Sequence, residues 1–210
     1  MKYAAALLLL FAQLSFAQSR EAPACGNAAG SSYCRRDGAA PTVVLLTGLG
    51  NSMQSWPASF VSALNGLAGV IVYDRRGHGG SAPLAAEPVL AKAAAADLDA
   101  LLAAMRIREP VVLVAHSLGG LYAQYFARNY PRRESPPFPP VPLIVISASD
   151  HGSPKDFEAE WQRIQARTAE QSPLGRLVVA QGSGHDVFND RPALVVDEVR
   201  WLLVDLRNGR

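Results

Sequence analysis

The amino-acid sequence predicts an α/β fold in which a mostly parallel central sheet carries helices on both faces. Three observations lead to this expectation. Short runs rich in β-branched residues recur along the chain without polar alternation, the pattern of strands buried on both faces. Longer amphipathic segments separate them, as helices crossing over a sheet would. One run, ending just before Ser117, leads straight into a helical segment through a turn set among small residues.

The strand candidates, in order, are Thr42–Thr47 (TVVLLT), Val70–Tyr73 (VIVY), Val111–Ala115 (VVLVA), Leu143–Ile146 (LIVI) and Leu177–Ala180 (LVVA). Between them the periodicity predicts helices over Ser55–Leu67, Val89–Met105, Leu118–Asn129, Pro154–Glu170 and Pro192–Leu206. The fourth has Ser153 as a candidate cap, Asp156 near its positive end, and Phe157, Trp161 and Ile164 on one face. The last is preceded by Asn189 and Asp190 as candidate caps, and Val195, Val199, Leu202 and Leu206 form its apolar stripe. Arg132–Pro142 (RRESPPFPPVP) is a connector, because its prolines forbid both helix and interior strand.

With 210 residues, 49% of them apolar, the chain has material for one domain with a sizeable core, placed at 33–210. The formal net charge is +2 and there is no polybasic stretch, so neither nucleic acid nor an anionic membrane is an expected partner. Ahead of the domain lie a signal peptide over 1–17 and an N-terminal segment over 18–32. Lys2 precedes an apolar run from Ala4 to Leu14, and Ser15-Phe16-Ala17 suits cleavage after Ala17. That run is too short to span a bilayer, so export is expected with no integral membrane span after its removal. In an oxidising compartment Cys25 and Cys34, the only two cysteines, would form a disulfide worth about 2.5–3 kcal/mol through loop closure. A redox or metal pair is the alternative, but CxxC spacing and nearby histidine ligands are missing.

The strand-to-helix turn is where chemistry is expected. A serine held at such a bend has an exposed hydroxyl beside the first helical amides, which makes Ser117 the candidate nucleophile. Strand and helix pass so close that the positions two before and two after must be small, and they are Ala115 and Gly119. The strict G-x-S-x-G form is absent, and Ala115 departs from it by one methyl. The alternative is a serine that merely caps the helix. A serine hydroxyl needs a base to take its proton. Of four histidines, His116 adjoins the serine and points away, His78 lies in a glycine-rich loop, and His151 adjoins the candidate acid. His185, in the turn QGSGHD between the last strand and last helix, is the candidate base. Asp150 follows the Leu143 strand on the same edge as His185 and is the candidate acid, with Asp156 and Asp190 as competitors. An oxyanion would be held by backbone amides, expected from Leu118 and from Leu49 in the loop TGLGN. That loop is no phosphate cradle, since it lacks Gly-Lys-Ser/Thr and no G-x-G-x-x-G opens a helix.

Thr47-Gly48-Leu49-Gly50 with Trp56, then YDRRGHGGS (73–81), AHSLGG (115–120) and GSGH (182–185), resemble the α/β-hydrolase superfamily in content and order. The resemblance runs from about Tyr33 to the C-terminus. It implies a Ser117-His185-Asp150 triad, oxyanion amides at Leu49 and Leu118, and attack on a small-molecule ester through an acyl-enzyme. No metal site and no organic cofactor is implied. A serine at the elbow, where dehalogenases and epoxide hydrolases carry aspartate, implies an ester-cleaving branch. An amidase, lactonase or acyltransferase with the same triad, and a non-catalytic binding protein on the same fold, are the rival readings. Only the connector Arg132–Pro142 stands where many members insert a strand and a cap domain, so a capless and possibly strand-deficient member is expected. The substrate groove would be open, bordered by Leu49, Met53, Trp56 and Leu118. The Leu143 strand would have to pair directly with the Val111 strand.

Overall fold

The computed structural model describes residues 22–84, 91–130 and 140–208. The expected signal peptide and most of the connector Arg132–Pro142 lie outside the described residues. Seven strands are present among them: β1 (Ala24–Ala28), β2 (Ser31–Arg36), β3 (Thr42–Leu46), β4 (Val70–Tyr73), β5 (Val111–Ala115), β6 (Leu143–Ala148) and β7 (Gly175–Ala180). Six helices accompany them: α1 (Ala58–Asn65), α2 (Ala91–Ala104), α3 (Leu118–Asn129), α4 (Lys155–Ala169), α5 (Val187–Asp190) and α6 (Pro192–Arg207).

The central sheet has the order β1-β2-β4-β3-β5. Strand β3 is parallel to both β4 and β5, whereas β2 is antiparallel to β4 and to β1. Burial on two faces explains the unalternating runs. Val43 and Leu45 of β3 pack with Phe60, Leu64, Val195, Val199 and Leu203 from α1 and α6. Val44 and Leu46 pack with Leu98, Leu101, Leu102 and Tyr122 from α2 and α3. All five residues of β3 are buried, as a strand between two helical layers must be.

The β1–β2 hairpin is an addition to the expected elements. Its two-residue turn places Ala29 at φ 50° and Gly30 at φ 81°, a turn with both central residues left-handed, which matches the twist of the flanking strands. Cys25 and Cys34 face one another across this hairpin with Cα atoms 4.0 Å apart and form the expected disulfide. Among the described residues, no helix is long and apolar enough to cross a membrane.

The expected pairing of the Leu143 strand with the Val111 strand is not made. Strands β6 and β7 form a separate parallel two-stranded sheet, and β5 ends the five-stranded one. No strand fills the interval between β5 and β6 among the described residues, so the single sheet is divided in two. A cavity of about 1100 Å³ lies there, lined by Val112 and Val114 on one side and Ile144 and Ile146 on the other. The two sheets are joined by side-chain packing, with Ala148 and Ala180 in the same core as Val112, Phe188 and Val199.

Two helix starts also differ from expectation. Pro154, with no side-chain hydrogen bond, occupies the cap position of α4, so Ser153 does not cap it. Arg191 stands at the cap of α6, again without a side-chain capping bond, its guanidinium donating instead to the Gln181 carbonyl. Asp190 is instead engaged by the Gly184 N–H, at 2.8 Å from its Oδ2.

Candidate functional site

The register of the central sheet assembles the site. Leu46 of β3 lies opposite Ala115 of β5, and the His116 N–H extends the pairing to the Leu46 carbonyl at 3.0 Å. The loops leaving these two strand ends therefore emerge side by side, at the point where the chain switches from β4 on one flank of β3 to β5 on the other. In open α/β sheets that carboxyl-end switch point is where ligands bind.

Ser117 is exposed, with φ 52° and ψ −123°. A non-glycine residue in this region carries strain on the order of 1–3 kcal/mol, held in place by its surroundings. Those surroundings are tight. A Cβ at Gly119 would sit 2.6 Å from the Leu46 carbonyl oxygen and 2.7 Å from that of Thr47. The expected need for a small residue two after the serine is thus the contact of α3 with the end of β3. A Cβ at Gly48 would lie 3.2 Å from the Ser117 Cβ, so the glycine loop after β3 runs directly against the serine. Among the described residues, neither the Leu49 nor the Leu118 N–H donates a hydrogen bond to the protein.

The loop after β3 is held from behind. Arg75, at the end of β4, is only 5% exposed. Its guanidinium donates to the Thr47 carbonyl, to Thr47 Oγ1 at 2.9 Å and to the Gly48 carbonyl at 2.7 Å. Burial lowers its pKa from the ordinary arginine value. Asp74 beside it accepts from the N–H groups of Met53 at 2.6 Å and Gly80 at 2.9 Å. In the sequence the available signal for these two residues was an Asp-Arg dipeptide directly after an apolar run.

The loops after β6 and β7 are tied together in the same way. The Asp150 N–H donates to the Ser183 carbonyl at 3.1 Å, and Ser149 Oγ accepts the Gly182 N–H at 2.8 Å. This brings the segments bearing Asp150 and His185 into one cluster. The side chains are not engaged with one another. Asp150 Oδ1 accepts the Gly152 N–H at 2.8 Å, and no hydrogen bond joins the His185 ring to Asp150 or to Ser117 among the described residues. Ser117 and His185 both border the 1100 Å³ cavity.

Of the expected groove residues, Leu49 is 76% exposed, whereas Trp56 is in the core, stacked on Phe60 at 5.6 Å and tilted against Phe188 at 4.5 Å. Met53 contributes a backbone contact to Asp74, and Leu118 is half-buried at the start of α3. His78 is local, its Nδ1 lying 3.2 Å from the Arg76 carbonyl. His151 pairs with Glu158 at 2.8 Å and holds that carboxyl below its usual range. Among the described residues no group of His, Cys, Asp and Glu is arranged to hold a metal.

His116 links the two halves of the site. Its Nε2 lies 3.2 Å from the His185 carbonyl and 3.2 Å from Asp186 Oδ1, and its ring meets Phe188 edge-on at 5.0 Å. Burial depresses its pKa, with its bond to the His185 carbonyl opposing that shift. A histidine whose folded pKa lies below its unfolded value binds its proton first in the unfolded chain, so stability falls as pH drops through the unfolded value near 6.5. Urea midpoints should therefore fall on acidification below about pH 6.5, and a His116→Gln variant should lose part of that slope. An unchanged slope would remove His116 as its source.

A family profile described as alpha/beta hydrolase fold matches residues 41–172, more than half of the chain. The chain belongs to the α/β-hydrolase fold family. A relative named "Putative carbamate hydrolase RutD" from Escherichia coli O9:H4 (strain HS) is 37% identical over 129 residues, 61% of this chain and 41% of that protein. The chain thus spans less than half the length of that curated relative. Among solved structures, a thermophilic esterase from Thermogutta terrifontis superposes with a TM-score of 0.66 at 18% identity, over 88% of this chain and 99% of the other. A novel esterase from Mycobacterium tuberculosis gives 0.65 at 18% identity, over 87% and 90%. These two establish likeness of fold. As an α/β hydrolase, this one is a reduced form with a divided sheet.

Proposed function

We propose that this α/β hydrolase is an exported serine hydrolase that cleaves a small-molecule carboxylic ester. Ser117 attacks the carbonyl carbon, His185 takes the hydroxyl proton and returns it to the leaving alcohol, and Asp150 orients the imidazole. Water then cleaves the acyl-enzyme by the same path. The carrying observation is the strained φ of 52° at an exposed Ser117, since backbone strain persists where a site uses it. The unengaged amides of Leu49 and Leu118 support their assignment to the oxyanion. Export is supported by the Cys25–Cys34 disulfide, which suits an oxidising compartment.

A carbamate is the second substrate class, favoured by the name of the 37% identical relative. It presents the same trigonal carbonyl to the serine.

The test is labelling of the purified protein with a fluorophosphonate, which reacts with activated serines. Label on Ser117, located by peptide mapping, is expected; an unlabelled wild type would remove the serine-hydrolase reading. For the acid, Asp150→Asn should lower p-nitrophenyl acetate turnover by roughly 10⁴-fold through the wrong imidazole tautomer. Undiminished turnover would reassign the acid to Asp156 or Asp190.

A further inference from the structure

Resting on that reading of Ser117, we infer that Arg75 is the positioning residue of the oxyanion site: it fixes the direction of the Gly48 and Leu49 amides from behind the loop. The guanidinium donates to the Thr47 carbonyl and to the Gly48 carbonyl at 2.7 Å. A trans peptide is planar, with its N–H opposite its C=O. When the Thr47 and Gly48 carbonyls are drawn toward Arg75, the Gly48 and Leu49 N–H groups point away from it. Neither of these amides has an acceptor within the protein among the described residues. On that side of the loop lies the serine, within 3.2 Å of a Cβ built on Gly48.

The character of the arginine argues for a task beyond packing. It is 5% exposed, and among the described residues no carboxylate lies at ion-pair distance from it, Asp74 acting on it only from farther off. A buried cation spending its donors on neutral carbonyls is costly to keep, and an apolar side chain would fill the space at less cost. What a cation supplies is polarisation. Positive charge behind the two carbonyls draws electron density along each peptide and leaves its N–H end a stronger donor. The guanidinium is itself fixed, forked over Thr47 and Gly48 and resting on the Tyr122 ring at 5.2 Å. Tyr122 belongs to α3, the helix that supplies the Leu118 amide, so one side chain braces both walls of the oxyanion site. A lysine, with a point charge and no fork, would reproduce the charge and lose the bidentate hold.

The test compares wild type with Arg75→Met and Arg75→Lys, normalising turnover to the number of active sites counted by fluorophosphonate end-point. Counting sites removes the contribution of misfolded protein. The expected result is a fall in kcat per site of roughly 100-fold for Arg75→Met, the order lost with one oxyanion donor. KM should stay within about threefold, and Arg75→Lys should recover part of kcat. A boronic acid that mimics the tetrahedral oxyanion should lose affinity in parallel with kcat/KM. If kcat per site is unchanged in both variants, or KM alone rises, the assignment of Arg75 is overturned while the hydrolase reading stands. A wild type that takes no label overturns the reading itself, and this inference with it.

Discussion

Ser117→Ala is expected to lower ester turnover by roughly 10⁴-fold or more, leaving a folded protein. On the proposed mechanism the hydroxyl oxygen becomes bonded to the acyl group, and among the described residues the Ser117 side chain makes no hydrogen bond that stabilises the fold. The companion variant Ser117→Gly sharpens the test. At φ 52° and ψ −123° a Cβ is a burden, and glycine enters this region without the penalty. Ser117→Gly should therefore be as inactive as the alanine variant and more stable by about 1 kcal/mol, an exchange of activity for stability seen where strain serves a site. Urea denaturation of the three proteins measures it. A destabilised glycine variant would mean that the positive φ is relaxed here, and the argument from strain would fall.

Gly119→Ala is expected to have the second large effect, on folding. The added methyl would have to sit 2.6 Å from one backbone oxygen and 2.7 Å from another, on Leu46 and Thr47. Neither neighbour is a flexible side chain that can turn aside. Since Leu46 is also paired to Ala115 and accepts the His116 N–H, the first turn of α3 must move instead. Overpacking of this kind costs about 1–3 kcal/mol. It would also carry the Leu118 amide away from Ser117, so turnover should fall together with the urea midpoint. Gly120→Ala is the control, because a Cβ there meets nothing within 4 Å.

Much of the fold was legible because two-sided burial leaves a pattern that few other arrangements produce. Val70–Tyr73 and Val111–Ala115 were readable to the residue, as was α3. The β1–β2 hairpin was not legible, since its turn is Ala-Gly in place of the usual Asn-Gly and its strands, ACGNA and SSYCRR, carry little hydrophobic signal. Its place in the sheet is set by pairing with β4, a long-range contact. The caps failed for another reason: Asp190 binds the Gly184 amide in the histidine loop, and a local rule does not register that tertiary demand. In the candidate site, the placement of Ser117, Asp150 and His185 just after strands was legible, because topology delivers them there. The contacts of Arg75 were not legible, because they depend on which carbonyls the fold brings against it.

The divided sheet has a kinetic meaning. Ser117 leaves β5 and His185 follows β7, so the two are carried by different sheets. In an undivided sheet, rows of backbone hydrogen bonds would set the spacing between them. Here it is set by side chains, with Phe188 seated among Trp56, Phe60 and His116, and with the His116 ring against the His185 carbonyl. On the proposed mechanism, chemistry that needs both residues proceeds in the fraction of molecules that hold them in register, and the observed rate is the intrinsic rate multiplied by that fraction. The seat of Phe188 would then bear on the rate without touching a reacting atom. Loosening it would slow the reaction by the same factor for every substrate.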